Sequence, residues 1–419
     1  MTKPSKLLKK RHRRETRFRF YGFATIVVVL SLLALMLISI AIKGSSVFSK
    51  AYIGVEIHFY ASDILFDPTD PEGSLRKVNF RDVIYKSMAL NGDLKGMSRN
   101  EVQQLISPGA EFMLFDQVRQ SPLMIGGKYL VWLLASDDVD YFLKNPESEK
   151  KRASERRLTN AQMTFLLTEQ ASGKLQHKFN WLFFTEGDSR SPELAGIKGA
   201  LVGSMLTILV TLILAFPFGI AAAVYIEEFA PPNRLVRFLE LNINNLASVP
   251  SIVFGLLGLA VFINLMHVPR SSALVGGMTL ALMIMPTIFI ATRSALHTVP
   301  KAIARAAEAL GASPVQVVFH HKIPLALPGI LTGTILGVAR ALGESAALLM
   351  VGMVAFVVDA PTSIMDPATV LPVQIFSWSR NPEQGFEDHT AAAIMVLLLF
   401  LMAFNLVAIY IRRQFEHRW

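Results

Sequence analysis

Residues 298–330 run TVPKAIARAAEALGASPVQVVFHHKIPLALPGI, a polar, alanine-rich stretch set between two long apolar runs. The spacing predicts two short helices joined by a glycine turn. Pro300 suits a first helical position, and Ala302, Ala304, Ala306, Ala307 and Ala309 are strong helix formers. Gly311 suits the left-handed residue past a helix end. Ser313 caps a second helix that starts at Pro314 and is expected to end at Pro324. Between apolar runs, such a hairpin is a loop joining membrane spans. Its alanine face lets another protein's backbone come close, or the hairpin is simply a well-capped surface element; the pattern accommodates both.

Further apolar runs lie on either side. Phe20–Ile42, Ile197–Ile226, Leu241–Met266, Ala273–Ala291, Leu325–Val358 and Ala391–Ile411 give six spans, long enough at about 1.5 Å per residue to cross a bilayer core. Of the 419 residues 52% are apolar, and the mean hydropathy is +0.42. Both suit a membrane protein with a soluble part. The expected organisation is a basic tail (1–19), a first transmembrane helix (20–43), an insert (44–196), five further helices (197–411, with the polar loop at about 294–324) and a short tail (412–419). The expected fold class is an all-α membrane protein of six transmembrane helices with a cytoplasmic loop at about 294–324, and with an α+β extracytoplasmic (periplasmic) insert between spans one and two.

The net charge of +9 is unevenly spread. Lys3, Lys6, Lys9, Lys10, Arg11, Arg13, Arg14, Arg17 and Arg19 precede the first apolar run against Glu15 alone. Immediately before a span this is the positive-inside signal, with contact to anionic lipid, rather than a nucleic-acid arm. The apolar region exceeds that of a signal peptide and no small-x-small cleavage site closes it, so it is taken as an uncleaved span. Arg234, Arg237, Arg293, Lys301, Arg305, Lys322, Arg412, Arg413 and Arg418 then fall on the same side as the N-terminus, while the outer loops carry Arg270 and Arg380. Both termini are expected inside.

The insert holds turns at Asp67-Pro68 and Asp70-Pro71-Glu72-Gly73, a strand at Lys128–Leu133, a capping box at Ser98 and Glu101, and a helix after Asn145-Pro146. Lys150, Lys151, Arg152, Arg156 and Arg157, interleaved with Glu147, Glu149 and Glu155, read as a solvated helix face. No catalytic or metal constellation emerges and no cofactor is implied. Zero cysteines exclude disulfides and thiolate chemistry. His320 and His321 are adjacent, about 100° apart on a helix, and make a poor metal pair. Ser172-Gly173-Lys174 lacks the upstream glycine of a phosphate-cradling loop. An intramembrane hydrolase would need acids, a nucleophile or a zinc cluster that the spans lack. A membrane sensor using the insert is a further alternative, tested by ligand titration of that region.

Within span five, Arg340 and Glu344 stand four residues apart, on one helical face. They form either an internal ion pair that steadies the helix or a cationic contact for an oxyanion, with Glu344 limiting its grip. Asn242, Asn244, Asn245, Ser248 and Ser251 around Pro250 either glue helices together or line a path. Glu227 and Glu228 are expected at the interface. Pro217, Gly219, Gly255, Gly258, Pro286, Gly333, Gly337 and Gly343 read as sites of close packing or kinking.

The loop at 294–324 resembles the cytoplasmic coupling (EAA) loop of ABC-importer permeases, which docks on the ATPase subunit. Ala306, Ala307, Gly311 and the Ile323-Pro324 pair fall in the family's register, Arg305 stands where its Glu is usual, and Glu308 follows a turn later. With Asn244–Gly255, Leu327–Gly333 and Ala339–Glu344, the chain resembles the PstA-type permease subunit of the phosphate-specific ABC importer, loosely over residues 1–45 and well over about 196–411. The resemblance implies a non-catalytic subunit of a bacterial inner-membrane complex. Its partners would be a PstC-type second permease, two cytoplasmic ATPase subunits and a periplasmic phosphate-binding protein. A permease for molybdate or sulfate would share these features.

Overall fold

The computed structural model describes residues 6–64, 66–67, 70–91, 94, 96–145 and 157–415. The expected helix after Asn145 and most of its charge cluster, together with Lys3, Pro68 and Arg418, lie outside the described residues.

The basic tail from Lys6 and the apolar run after it, with no Pro between, form one long helix, α1 (Lys6–Ser45). A 3-10 turn then turns the chain directly into β1 (Ser49–His58). The β-branched and aromatic sequence Ala51–His58 buries most of this strand, as a central strand requires. It pairs antiparallel with β2 (Lys128–Leu134) on one side and β3 (Leu175–Phe179) on the other. Six helices surround the sheet: α2 (Pro71–Leu75), α3 (Phe80–Asn91), α4 (Arg99–Gln104), α5 (Gly109–Gln120), α6 (Asp137–Lys144) and α7 (Asn160–Ala171). Ser98 and Glu101 cap α4 reciprocally. Ile53, Ile57, Leu105, Leu114, Leu133 and Leu166 form a shared core. α8 (Leu182–Thr185) returns the chain to the apolar part.

There follow α9 (Lys198–Val224), α10 (Arg234–Leu246), α11 (Ser251–Gly258), α12 (Ala273–Thr298), α13 (Lys301–Ala309), α14 (Pro314–Gln316), α15 (Ile323–Leu342), α16 (Ala346–Met350), α17 (Leu371–Ser379) and α18 (Gly385–Gln414). Among the described residues five helices are long and apolar enough to cross a membrane: Arg14–Phe48, Lys198–Phe229, Ala273–Thr298, Pro314–Leu342 and Gly385–Gln414.

Two expected spans differ. The run Leu241–Met266 is not one helix. Arg234–Leu246 and Ser251–Leu265 meet at a 105° bend, because the Pro250 ring cannot continue the helix and the Ser248 hydroxyl bonds back to the Asn245 carbonyl. α10 is amphipathic, with Leu235, Phe238, Leu239 and Leu241 exposed. Leu325–Val358 is not continuous either. α15 stops at Leu342, the Glu344 carboxylate accepts from the Ala347 amide at 3.3 Å to start α16, and residues 351–370 run irregularly against the ends of α9 and α12.

Small residues set the helix spacing. A Cβ built on Gly329 would stand 2.7 Å from the Ala295 Cβ, and one on Gly333 would overlap the Ala291 Cβ. α15 and α12 therefore meet through two small residues one turn apart on each side.

Polar bonds gather where the sheet domain meets the end of α1 and where the segment before α9 meets α17. The Lys144 ammonium donates to the carbonyls of Ser46 and Ser49 at 2.7 and 2.6 Å and to the Asp140 carboxylate at 2.6 Å. Asp140 also accepts from the Ala51 amide at 2.8 Å and faces the buried Lys50 ammonium at 3.8 Å. The Trp378 indole donates to Asp188 at 2.9 Å. Val47, Phe183, Ile197, Leu371, Trp378 and Phe386 form a buried seam beneath these bonds.

Candidate functional site

Three features bear on function, the first two at the hairpin end of the helices and the third nearer their middle. The first is the hairpin itself. Lys301–Ala309 is helical, Gly311 has φ +90°, and Ser313 caps reciprocally with Gln316. Pro300 occupies the cap position, one residue before the helix. Pro324 does not end the second helix, which continues to Leu342. Val317–Lys322 winds as a π-helix; the wider turn displaces the carbonyl against which the Pro324 ring would press. Val317 and Val318 are buried, and Val318 packs with Val224, Leu296, Val299 and Ala326. Ala307 is buried too. Arg305, Ala306, Glu308 and Gly311 face outward, with Leu310 90% exposed and Val315 and Phe319 beside the same turn also exposed. Ile323 is half-buried behind them and Pro324 is exposed next to it.

The second feature is an ionic anchor, absent from the expectations above. A π-turn at Tyr225–Phe229 ends α9 and presents Glu227 and Glu228. Glu227 pairs with Arg293 at 2.9 Å and faces His297 at 3.0 Å; Arg293 also pairs with Glu240 of α10 at 3.2 Å. Glu228 accepts from Lys322 at 2.6 Å. The hairpin's second arm, α9, α10 and α12 are thus tied in one network. Adjacent acids at one span end, facing bases at the ends of two others, were the sequence signal for it.

The third feature is the pair of breaks. Gly255 packs on Ala347 and Met350, and Gly258 on Val351, so α11 and α16 run parallel. Their starting ends, Ser251 and the Gly343–Glu344 break, therefore lie at one level. Arg340 and Glu344 do not share a helical face, since the helix ends between them, and no ion pair joins them among the described residues. Gly337 faces Ile284 near the middle of α12, which sets Arg340 less than a turn beyond mid-length, with its side chain exposed. Asn244 and Asn245 are exposed at the end of α10 and Ser251 is half-buried. The structure thus brings Ser251 and Glu344 to one level, while Arg305–Gly311 form a separate site at the helix ends.

A cleft of about 740 Å³ opens on the opposite side, between the sheet domain and the loop before α18, lined by Arg81, Gln103, Asp137, Arg157, Glu193 and Glu383 among others. Arg157 pairs there with Asp138 at 2.9 Å. Burial first, then the neighbouring Glu193, Asp138 and Asp140, push the Asp137 carboxyl up to about 6 against the pull of Lys50. Glu193, which accepts from Ser107, is raised by burial as well.

Residues 197–419 match the family described as binding-protein-dependent transport system inner membrane component, and residues 5–155 match one described as a domain of unknown function (DUF3333). The probable ABC transporter permease protein YqgI of Bacillus subtilis is 32% identical over 55% of this chain and 82% of that protein. The probable phosphate transport system permease protein PstA of Methanocaldococcus jannaschii is 34% identical over 50% of this chain and 73% of its own. PstA of Haemophilus influenzae is 29% identical over 56% and 81%. A solved inward-facing MetNI methionine ABC transporter aligns with a TM-score of 0.44 at 18% identity, covering 53% of this chain and 96% of that one.

Proposed function

The chain belongs to the binding-protein-dependent transport system inner membrane component family, as a PstA-type permease of an ABC importer, and on that premise we propose that it forms half of the translocation path of an inorganic phosphate importer. The observation that carries the reading is the hairpin at 298–324. It presents apolar Leu310, Val315 and Phe319 to a partner and is tied by Lys322–Glu228 to the end of α9. A push on its tip is thereby passed to α9, and through Arg293 to α10 and α12. This is what a subunit driven by an ATPase on another chain requires.

In this reading α10 and α11 count together as the third of six spans, both termini are cytoplasmic and the sheet domain lies outside. Two ATPase subunits dock on this hairpin and its counterpart in a PstC-type second permease, and a periplasmic phosphate-binding protein delivers solute. Arg340 supports the path. An exposed guanidinium near the middle of a span costs about 2.5–3.5 kcal/mol on insertion scales, so it faces a partner or water rather than lipid. Its forked donors suit a phosphate oxyanion. Glu344, spent partly on starting α16, leaves Arg340 unneutralised, and Asn244, Asn245 and Ser251 add hydrogen-bonding groups around the breaks.

Uptake of radiolabelled phosphate by vesicles holding the whole complex tests the reading. Unlabelled phosphate should compete, while molybdate and sulfate should not, and Arg340→Ala should abolish uptake without loss of assembly. Competition by molybdate or sulfate alone would reassign the solute; normal uptake by the Arg340 variant would remove it from the path.

A further inference from the structure

The corner between β3 and α9 carries an aromatic patch that the transport reading does not use. Phe179 is 50% exposed, Trp181 69% and Phe184 40%. The rings are contiguous: Phe179 meets Trp181 edge-on at 4.9 Å and stacks on Phe184 at 6.2 Å, and Phe184 stacks on Phe48 at 5.9 Å. Contiguous exposed aromatics of this kind mark a contact surface.

Its depth is fixed by two bonds and one packing contact at the ends of three apolar helices. Phe48 lies three residues past the end of α1, and its carbonyl accepts from the Asn180 amide at 2.9 Å. The Phe183 carbonyl accepts from the Ile197 amide at 2.8 Å, one residue before α9 begins. Phe183 also packs on Phe386 and His389, in the first turns of α18. The corner therefore stands level with the ends of α1, α9 and α18, where hydrocarbon gives way to headgroups. Exposed Lys198 opens α9 at the same level.

We propose that Phe179, Trp181 and Phe184 insert into the boundary of the adjoining bilayer leaflet, anchoring the sheet domain to lipid. Trp181, an apolar ring with a polar indole N–H, suits that depth, Phe179 and Phe184 add apolar surface beside it, and a lysine there reaches lipid phosphates. The occupant is lipid because the patch stands at the ends of three apolar helices, six residues past Ile42, the last exposed apolar side chain of α1, with Lys43 and Ser45 between. The proposal rests on the chain crossing a membrane and not on which solute it carries.

The chain has no cysteine, so single spin labels can be placed without background. Phe179→Cys, Trp181→Cys and Phe184→Cys are each labelled in the full complex in bilayer nanodiscs, with Leu123→Cys as reference. Leu123 is 94% exposed. It precedes Gly126 and Gly127, which bond Phe59 at the far end of β1, about 30 Å from Ser49 at about 3.3 Å per strand residue. Thr185→Cys, exposed on the same corner, serves should a ring replacement prevent insertion. Collision with oxygen relative to a water-soluble nickel chelate should be several-fold higher at the corner than at Leu123. A ratio equal to that of Leu123 would overturn the proposal, as would low collision with both reagents at every corner site, which means that protein covers the patch.

Discussion

Replacing Glu228 by Gln should loosen the hairpin from α9. The Lys322 and Glu228 side chains are 21% and 11% exposed and 2.6 Å apart. At an effective dielectric constant of about 20 their gross attraction is about 6 kcal/mol, most of it offset by desolvation. Exposed pairs are worth about 0.2–1 kcal/mol, and breaking a buried one costs about 3–5, so this half-buried pair falls near about 2 kcal/mol. That is about a thirtyfold change in an equilibrium constant. Glu228→Gln and Lys322→Met should each lower the unfolding free energy in nanodiscs by this amount and slow ATP-driven uptake. The double exchange Glu228→Lys with Lys322→Glu should recover at least half of both. Singles within about 0.5 kcal/mol of the parent, or an exchange no better than the two losses combined, would refute the claim that this bond transmits force.

Other consequences are as specific. Gly333→Leu should drive α15 from α12 and cost about 1–3 kcal/mol or more through overpacking, and Ala291→Gly should restore part of the loss in thermal unfolding. Asp140→Ala strands the buried Lys50 and the Lys144 ammonium, so a loss of about 3–5 kcal/mol is expected, read as faster proteolysis between the sheet domain and the helices. The Asp137 carboxyl, raised by burial to about 6 from an ordinary 3.8, holds its proton more tightly folded than unfolded. Stability should therefore fall as pH rises between those values, by about 3 kcal/mol at about 1.36 kcal/mol per pH unit. Asp137→Asn should flatten that dependence in pH-resolved melts.

The sequence revealed what local rules control. The caps at Ser98 and Ser313 and the left-handed Gly311 each depend on a few neighbouring residues. The apolar runs located the long helices for the same reason. What it misjudged depends on partners far along the chain. Pro250 and Gly343 could each have been a kink within a span; whether the helix stops is decided by Ser248, Glu344 and the packing of Gly255 on Ala347. Pro324 looked terminal because a π-turn leaves no simple periodic trace. β1, set off from the span by Gly44, Ser45 and Ser46, went unread, as did β3, which is short and polar. The Glu227 and Glu228 anchor needed the fold to bring residues about 65 to 95 positions apart into contact.

The central claim is that the hairpin at 298–324 is where a separate ATPase grips this chain. In the cysteine-free background, Leu310→Cys in membranes of cells making the whole complex should form a short-span cross-link to the ATPase subunit, and an impermeant thiol reagent applied from outside should leave it unmodified. Labelling of the introduced thiol from the exterior, or an ATPase that co-purifies yet never cross-links there, would contradict the account.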